Sequence, residues 1–236
     1  MVKILSKIVN FLFPQICFTC KSSLSSDEIL FCKTCFKKLP FVKSYCKRCG
    51  RLFSIDFSEV FEEDTLSYCG NCLKDPPPFE RVFLGFHYRE PISSLIQRAK
   101  FSENFELAYQ LGRLLRKAID VPFELYDYIL PVPLSKKRKR ERGYNQSQLM
   151  LWGYGGFYLP KELLIRARHT RPQSELSLKE RLENLKGAFA VRSSVKEKKI
   201  LLFDDVMTSG ATLYETAKVL KKAGAKEVHL LVLARA

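Results

Sequence analysis

From residue 81 onward the apolar positions follow two alternating rhythms. Short continuous runs, bounded by turn residues, predict buried strands over 81–88, 126–133, 163–168, 200–206 and 228–233. Between them, apolar residues recur three and four apart. One such stretch opens at Pro91 and runs to about Lys100. A second covers 105–119, with Leu107, Leu111, Leu114, Leu115 and Ala118 on its buried side, and a third covers 212–223, with Gly224 as its C-cap. This alternation argues an α/β fold, a parallel sheet with helices on its faces, whose ligands bind beyond the carboxyl ends of the strands.

The first 78 residues have a different texture. Ile4, Leu5, Ile8, Phe11 and Leu12 share one helical face, predicting a short amphipathic helix that packs on its own protein or lies on a membrane surface. Lys3, Lys7 and Asn10 interrupt it, no small-residue cleavage site follows, and it is too short to span a bilayer. Residues 17–75 hold too few apolar side chains to fold alone. Asp75, Pro76, Pro77 and Pro78 then break regular structure, so the chain is divided into 1–78 and 79–236.

Composition is that of a soluble globular protein except in charge: 40 Lys and Arg against 25 Asp and Glu give a net +15. That excess implies polyanionic company, whether nucleic acid, phosphorylated metabolites or an acidic membrane, or else a basic surface with no dedicated partner. All eight cysteines precede residue 73, as the CxxC pairs Cys17/Cys20, Cys32/Cys35, Cys46/Cys49 and Cys69/Cys72. Without a secretion signal, a reducing cytoplasm is expected, where repeated CxxC pairs mean metal rather than disulfides. Two four-cysteine zinc sites follow, structural because sulfur fills every position, with an iron–sulfur cluster as the alternative. Sequential pairing would join the first two pairs at one zinc and the last two at the other. An interleaved cross-brace remains open on spacing alone. Lys33, Lys37, Lys38, Lys43, Lys47, Arg48 and Arg51 decorate this region as solvated charges or phosphate contacts.

The chemistry concentrates near the C-terminus. Ile200, Leu201, Leu202 and Phe203 lead into Asp204 and Asp205, followed by Val206, Met207, Thr208, Ser209, Gly210, Ala211 and Thr212. A buried strand would deliver two carboxylates to its edge, and a small-residue turn would open a helix N-terminus that favours an anion. Carboxylates that accept from vicinal hydroxyls beside a phosphate cradle suggest a sugar phosphate. The stretch resembles the phosphoribosyl pyrophosphate (PRPP) motif of type I phosphoribosyltransferases. A second candidate follows the 126–133 strand: Lys136, Lys137, Arg138, Lys139, Arg140 and Arg142 form a cationic loop that suits pyrophosphate, or a nucleic-acid backbone. The Trp152, Tyr154, Phe157 and Tyr158 cluster reads as packing or as a stacking surface for single-stranded bases. His87, His169 and His229 show no ligand spacing, and His87 and His229 read as strand residues.

Taken together, Pro131, Val132, Pro133 and Leu134, then Arg142, Gly143, Tyr144, Asn145 and Gln146, then Arg168, Thr170 and Gln173, then Arg181, Asn184, Gly187, Ala188 and Phe189, resemble the ComF family. The four CxxC pairs, and Phe13 and Pro14 ahead of Cys17, match its layout, so the resemblance spans nearly the whole chain. Ser209 and Tyr144 stand where Thr and Phe are common. The resemblance implies a double zinc ribbon ahead of a phosphoribosyltransferase-like domain. It further implies a role in natural transformation, handling incoming single-stranded DNA at the inner face of the cytoplasmic membrane. Asp204 and Asp205 would hold ribose hydroxyls, and Thr208, Ser209, Gly210, Ala211 and Thr212 the 5′-phosphate. Lys136, Lys137, Arg138, Arg140 and Arg142 would hold the pyrophosphate with Mg²⁺, and Arg168, Gln173, Arg181 and Asn184 would form a hood over an acceptor. The alternative is an active phosphoribosyltransferase of nucleotide metabolism.

Overall fold

The structure is a computed structural model, and it describes residues 15–53, 68–101, 104–156, 163–168 and 178–236. The expected N-terminal helix, Phe157, Tyr158, His169, Thr170 and Gln173 lie outside the described residues.

Four parallel strands make the main sheet, in the order β1 (Arg81–His87), β6 (Glu227–Arg235), β5 (Lys199–Met207), β2 (Tyr128–Pro131). The central strands read as unbroken apolar runs because both faces are covered. On one face Leu201, Phe203, Leu231 and Leu233 pack with α3 (Ile92–Phe101), α4 (Phe105–Ala118) and α6 (Gln146–Gly155). On the other, Ile200, Leu202, Leu230 and Val232 pack with Leu213, Ala217 and Leu220 of α8 (Ala211–Lys222). The chain after β2 therefore runs to one face and the chain after its neighbour β5 to the other. That divergence opens a crevice at their carboxyl ends.

Helix α4 begins at Asn104, whose side chain accepts from Leu107 N at 2.9 Å. It meets α6 at glycines: a Cβ on Gly112 would fall 1.8 Å from Met150 O, and one on Gly153 1.9 Å from Tyr109 O. Tyr154 is part of this packing. Its hydroxyl donates to Ile119 O and accepts from Val121 N, and its ring stacks on Phe123.

Two expectations need correction. The cationic stretch is a helix, α5 (Lys136–Arg142), not a loop. Ser135 caps its start by accepting from Arg138 N, Gly143 closes it in the left-handed region (φ 73°), and the Lys, Arg and Glu between are good helix formers. The 163–168 strand does not join the parallel sheet. It is shorter, β3 (Leu164–Arg166), and pairs antiparallel with β4 (Phe189–Val191), a strand absent from the sequence reading; between them lies α7 (Leu178–Leu185).

The cysteine-rich front contains two short helices, α1 (Lys33–Lys37) and α2 (Gly70–Lys74). It lies along the exposed edge of β1. Val42 N donates to Gly85 O, His87 N to Pro40 O and Val82 N to Lys47 O, so the edge strand's backbone is paired rather than open. Phe31, Leu39 and Ile29 join Phe86, Ile92 and Leu95 in one apolar cluster.

Candidate functional site

At the carboxyl end of β5, Asp205 is 5% exposed and Asp204 partly buried. Asp205 does not stand alone: Lys100 Nζ, from the end of α3, lies 2.9 Å from its Oδ2, and Gln146 Nε2 donates to the same oxygen at 3.1 Å. Asp204 Oδ1 accepts from Ser147 Oγ at 3.2 Å and from the Asp205 backbone N–H at 3.0 Å. The two acids consequently differ. Burial, and then the neighbouring Asp205 charge, push Asp204 up to about 7, only partly offset by Lys100. Asp205 is also buried, yet the Lys100 ammonium and the Gln146 amide hold it below the usual carboxylate range.

The residues just upstream build the wall of this site. Gly143 ends α5, Tyr144 donates its hydroxyl to Ala99 O in α3, and Asn145 both caps α6 and donates to Val132 O at 3.1 Å. These contacts deliver Gln146 and Ser147 to the carboxylates.

After Met207 the chain turns through Thr208 and Ser209 to Gly210, the left-handed N-cap of α8 (φ 78°). A Cβ there would meet the mobile end of Met207, Cε, at 2.7 Å, and it is the left-handed backbone that favours glycine. Ser209 Oγ accepts from Ala211 N at 3.4 Å, and Thr212 lies in the first turn, whose N–H groups have no acceptor within the helix. Five candidate phosphate-loop residues are thus contiguous with the carboxylates.

Helix α5 brings its last residue, Arg142, within electrostatic reach of Asp205: burial lowers the Arg142 pKa, while Asp205 raises it and Arg138 lowers it further. Lys136, Lys137 and Arg140 line a cleft of about 510 Å³ together with Arg166, Ala167 and Arg168 of the β3 edge. Burial, then Arg138, lower Arg166 to about 10, against the pull of Asp204. A second, larger cleft of about 760 Å³ adjoins it, sharing Lys136, Arg166 and Ala167, and includes Pro131, Tyr144, Leu149 and Trp152.

The proposed hood residues are placed unevenly. Arg168 Nη2 donates to the carbonyls of Asn184 and Lys186, both at 2.9 Å, so its guanidinium caps the carboxyl end of α7. Asn184 is thereby beside Arg168, and Arg181 belongs to the same helix. Lys100, Ser147 and Arg166 were not singled out from sequence, and Gln146 was quoted only within a motif, with no role. Only Gln146 carried a signal, through its place after Arg142, Gly143, Tyr144 and Asn145.

The cysteines form two clusters with sequential pairing: Cys17, Cys20, Cys32 and Cys35, then Cys46, Cys49, Cys69 and Cys72, with sulfurs within 4.8 Å of one another. The cross-brace does not occur. The Cys20–Cys32 and Cys49–Cys69 sulfurs are each 3.7 Å apart. A tetrahedral zinc with Zn–S bonds of about 2.3 Å spaces its ligands by about 3.8 Å, so the clusters fit that metal. In the first CxxC turn of each cluster the residue after the second cysteine is left-handed, Lys21 (φ 63°) and Gly50 (φ 72°), and donates back to the first cysteine's carbonyl. Cys69 N also donates to Cys46 Sγ at 3.2 Å. These are two structural zinc sites.

Residues 8–73 match the double zinc ribbon domain and residues 154–236 the phosphoribosyl transferase domain. Competence protein F of Haemophilus influenzae is 36% identical over 240 residues, spanning 97% of this chain and 100% of that protein. DNA utilization protein YhgH of Escherichia coli K12 is 32% identical over 232 residues, 94% of this chain and 97% of that one. Competence protein ComFC of Streptococcus pneumoniae is 33% identical over 151 residues, 64% of this chain and 66% of that one.

Proposed function

The chain belongs to the ComF family of competence proteins, and from that premise we propose that it binds PRPP with Mg²⁺ and single-stranded DNA in natural transformation, handling incoming DNA on the cytoplasmic side of the membrane. The observation that carries the PRPP reading is the continuity of Asp204 and Asp205 with the Gly210-capped start of α8, with Arg142 of the cationic helix α5 within electrostatic reach of Asp205.

In this reading the carboxylates accept from the ribose hydroxyls, taking over from Ser147 and Gln146 contacts that are individually weak enough to exchange. The first-turn N–H groups of α8 receive the 5′-phosphate. Lys136, Lys137, Arg138, Arg140 and Arg142 neutralise the pyrophosphate, and Mg²⁺ would enter as its counter-ion. The same cations, with the net charge of +15, suit a DNA backbone. No helix among the described residues is long and apolar enough to cross a membrane.

One observation favours a second reading, an active phosphoribosyltransferase with an acceptor of unidentified structure. The larger cleft beside α5, lined by Tyr144, Trp152 and Leu149 as well as Lys136 and Arg166, has room for a planar acceptor next to the leaving group. Pyrophosphate released from Mg-PRPP with a panel of bases would support turnover. Anisotropy of labelled single-stranded DNA tests the DNA arm: log K should fall by about 0.7 per phosphate contact per decade of salt. The PRPP arm is tested by calorimetric titration of the wild type and Asp205→Asn. Loss of a charge-assisted acceptor worth about 1.5–3 kcal/mol should weaken binding about 10- to 100-fold with zinc content unchanged. A folded, zinc-replete wild type that takes up no Mg-PRPP would overturn it.

A further inference from the structure

The second zinc knuckle and the turn after β5 are joined by one arginine and one methionine. Arg235, at the end of β6, donates from Nε to Gly50 O at 3.0 Å and from Nη1 to Met207 O at 2.8 Å, and Nη1 also reaches Thr208 O. Gly50 directly follows the zinc-site residue Cys49, and its N–H donates to Cys46 O at 2.8 Å. Met207 fills the space between the two turns. Its Sδ lies 3.3 Å from where a Gly50 Cβ would stand, and its Cε 2.7 Å from that position on Gly210. The carbonyl shape of the knuckle and the shape of the 208–210 turn therefore bear on the same two side chains. The first cysteine cluster lies elsewhere, with Phe18 against Arg98 of α3 and Cys17 in the apolar cluster of α3, α4 and α6.

We propose that Arg235 and Met207 are positioning residues that splint the 5′-phosphate turn to the second zinc site, so that zinc at Cys46, Cys49, Cys69 and Cys72 and a 5′-phosphate ligand bind cooperatively. The inference rests on the PRPP reading above and deepens it by assigning that site a metal-dependent shape. A planar guanidinium suits the task because its fork holds carbonyl oxygens from two segments at a fixed separation, which a lysine's point charge does not. Loss of zinc from this knuckle would free the Gly50 carbonyl and slacken the fork's hold on Met207 and Thr208. Linkage then requires the reverse: a ligand that fixes the turn tightens the equilibrium affinity for this zinc, while the first site serves as an internal control.

The test is equilibrium competition for zinc between the full-length protein and a chromophoric chelator, with and without saturating Mg-PRPP. Two zinc affinities are expected, of which one tightens about tenfold with ligand and the other does not change. In Arg235→Gln, zinc should start at two per chain, Mg-PRPP affinity should fall about tenfold, and the ligand should no longer tighten either site. Arg235→Lys should not restore the coupling. A wild type that binds Mg-PRPP with both zinc affinities unchanged overturns this inference alone, whereas one that binds none overturns the PRPP reading with it. If Arg235→Gln folds poorly, the wild-type comparison decides by itself.

Discussion

Asp204 and Asp205 are adjacent in sequence yet face different surroundings. Asp205 is held ionised by Lys100 and Gln146; burial, and then the neighbouring Asp205 charge, push Asp204 up to about 7 against its weaker set of partners. Two consequences have opposite signs. A carboxylate that must accept ribose hydroxyls has to be ionised, so Mg-PRPP affinity should rise between about pH 6 and pH 8 and binding should release protons below the upper limit. Calorimetry in buffers of different ionisation enthalpy measures that release. In the free protein, the raised Asp204 value means that the folded state binds more protons than the unfolded one from about pH 4 to pH 7. Stability contributed by this group therefore declines as pH rises through that window. Asp204→Asn should raise the melting temperature at pH 8 and leave it nearly unchanged at pH 4; the same shift at both pH values would contradict the assignment. Both acids were legible because an apolar run ends on them. Lys100 and Ser147 were not, because each is a polar residue at a helix position that sequence spacing reads as surface.

At the scale of elements, the sequence marked β1, β5, β6, α3, α4 and α8 to within two residues or so, since each has a strong apolar rhythm and a breaker at its end. Helix α5 escaped because none of its residues is buried and no rhythm exists to detect; only Ser135 and Gly143, its caps, carried the signal. Strand β4 and its antiparallel pairing with β3 escaped because the two strands have three residues apiece and lie far apart in sequence. The α4–α6 contact shows what rhythm omits: Gly112 and Gly153 read as weak helix positions, but they let two backbones approach. Gly112→Ala should destabilise the protein by about 1–3 kcal/mol or more through overpacking, read as a lower denaturant midpoint. A wild-type midpoint would mean that the helices separate freely there.

Across the whole molecule, the cysteine-rich front and the α/β sheet share apolar surface. Phe31 and Leu39 are buried with Phe86, and Phe41 packs on Phe86 at 5.2 Å between centroids. Each zinc contributes folding free energy on the order of 10 kcal/mol in isolated zinc-finger peptides. Here that energy also stabilises the edge of β1. Cys32→Ser should leave one zinc per chain, measured by mass spectrometry under native conditions, and should lower the melting temperature of the α/β part as well as the ribbon. Two retained zinc ions would contradict the sequential ligand set. The front module's need for metal was legible from its cysteines; its attachment along β1 was not, because Pro40, Phe41 and Val42 carry no pattern that names a partner strand.

The most direct test of the central claim is a crystal structure of the zinc-replete protein with Mg²⁺ and PRPP. The account predicts ribose hydroxyls within hydrogen-bond distance of Asp204 and Asp205, the 5′-phosphate on the first-turn N–H groups of α8, and the pyrophosphate against α5. Phosphate bound to α5 alone, with the carboxylates still closed onto Lys100, Gln146 and Ser147, would contradict it.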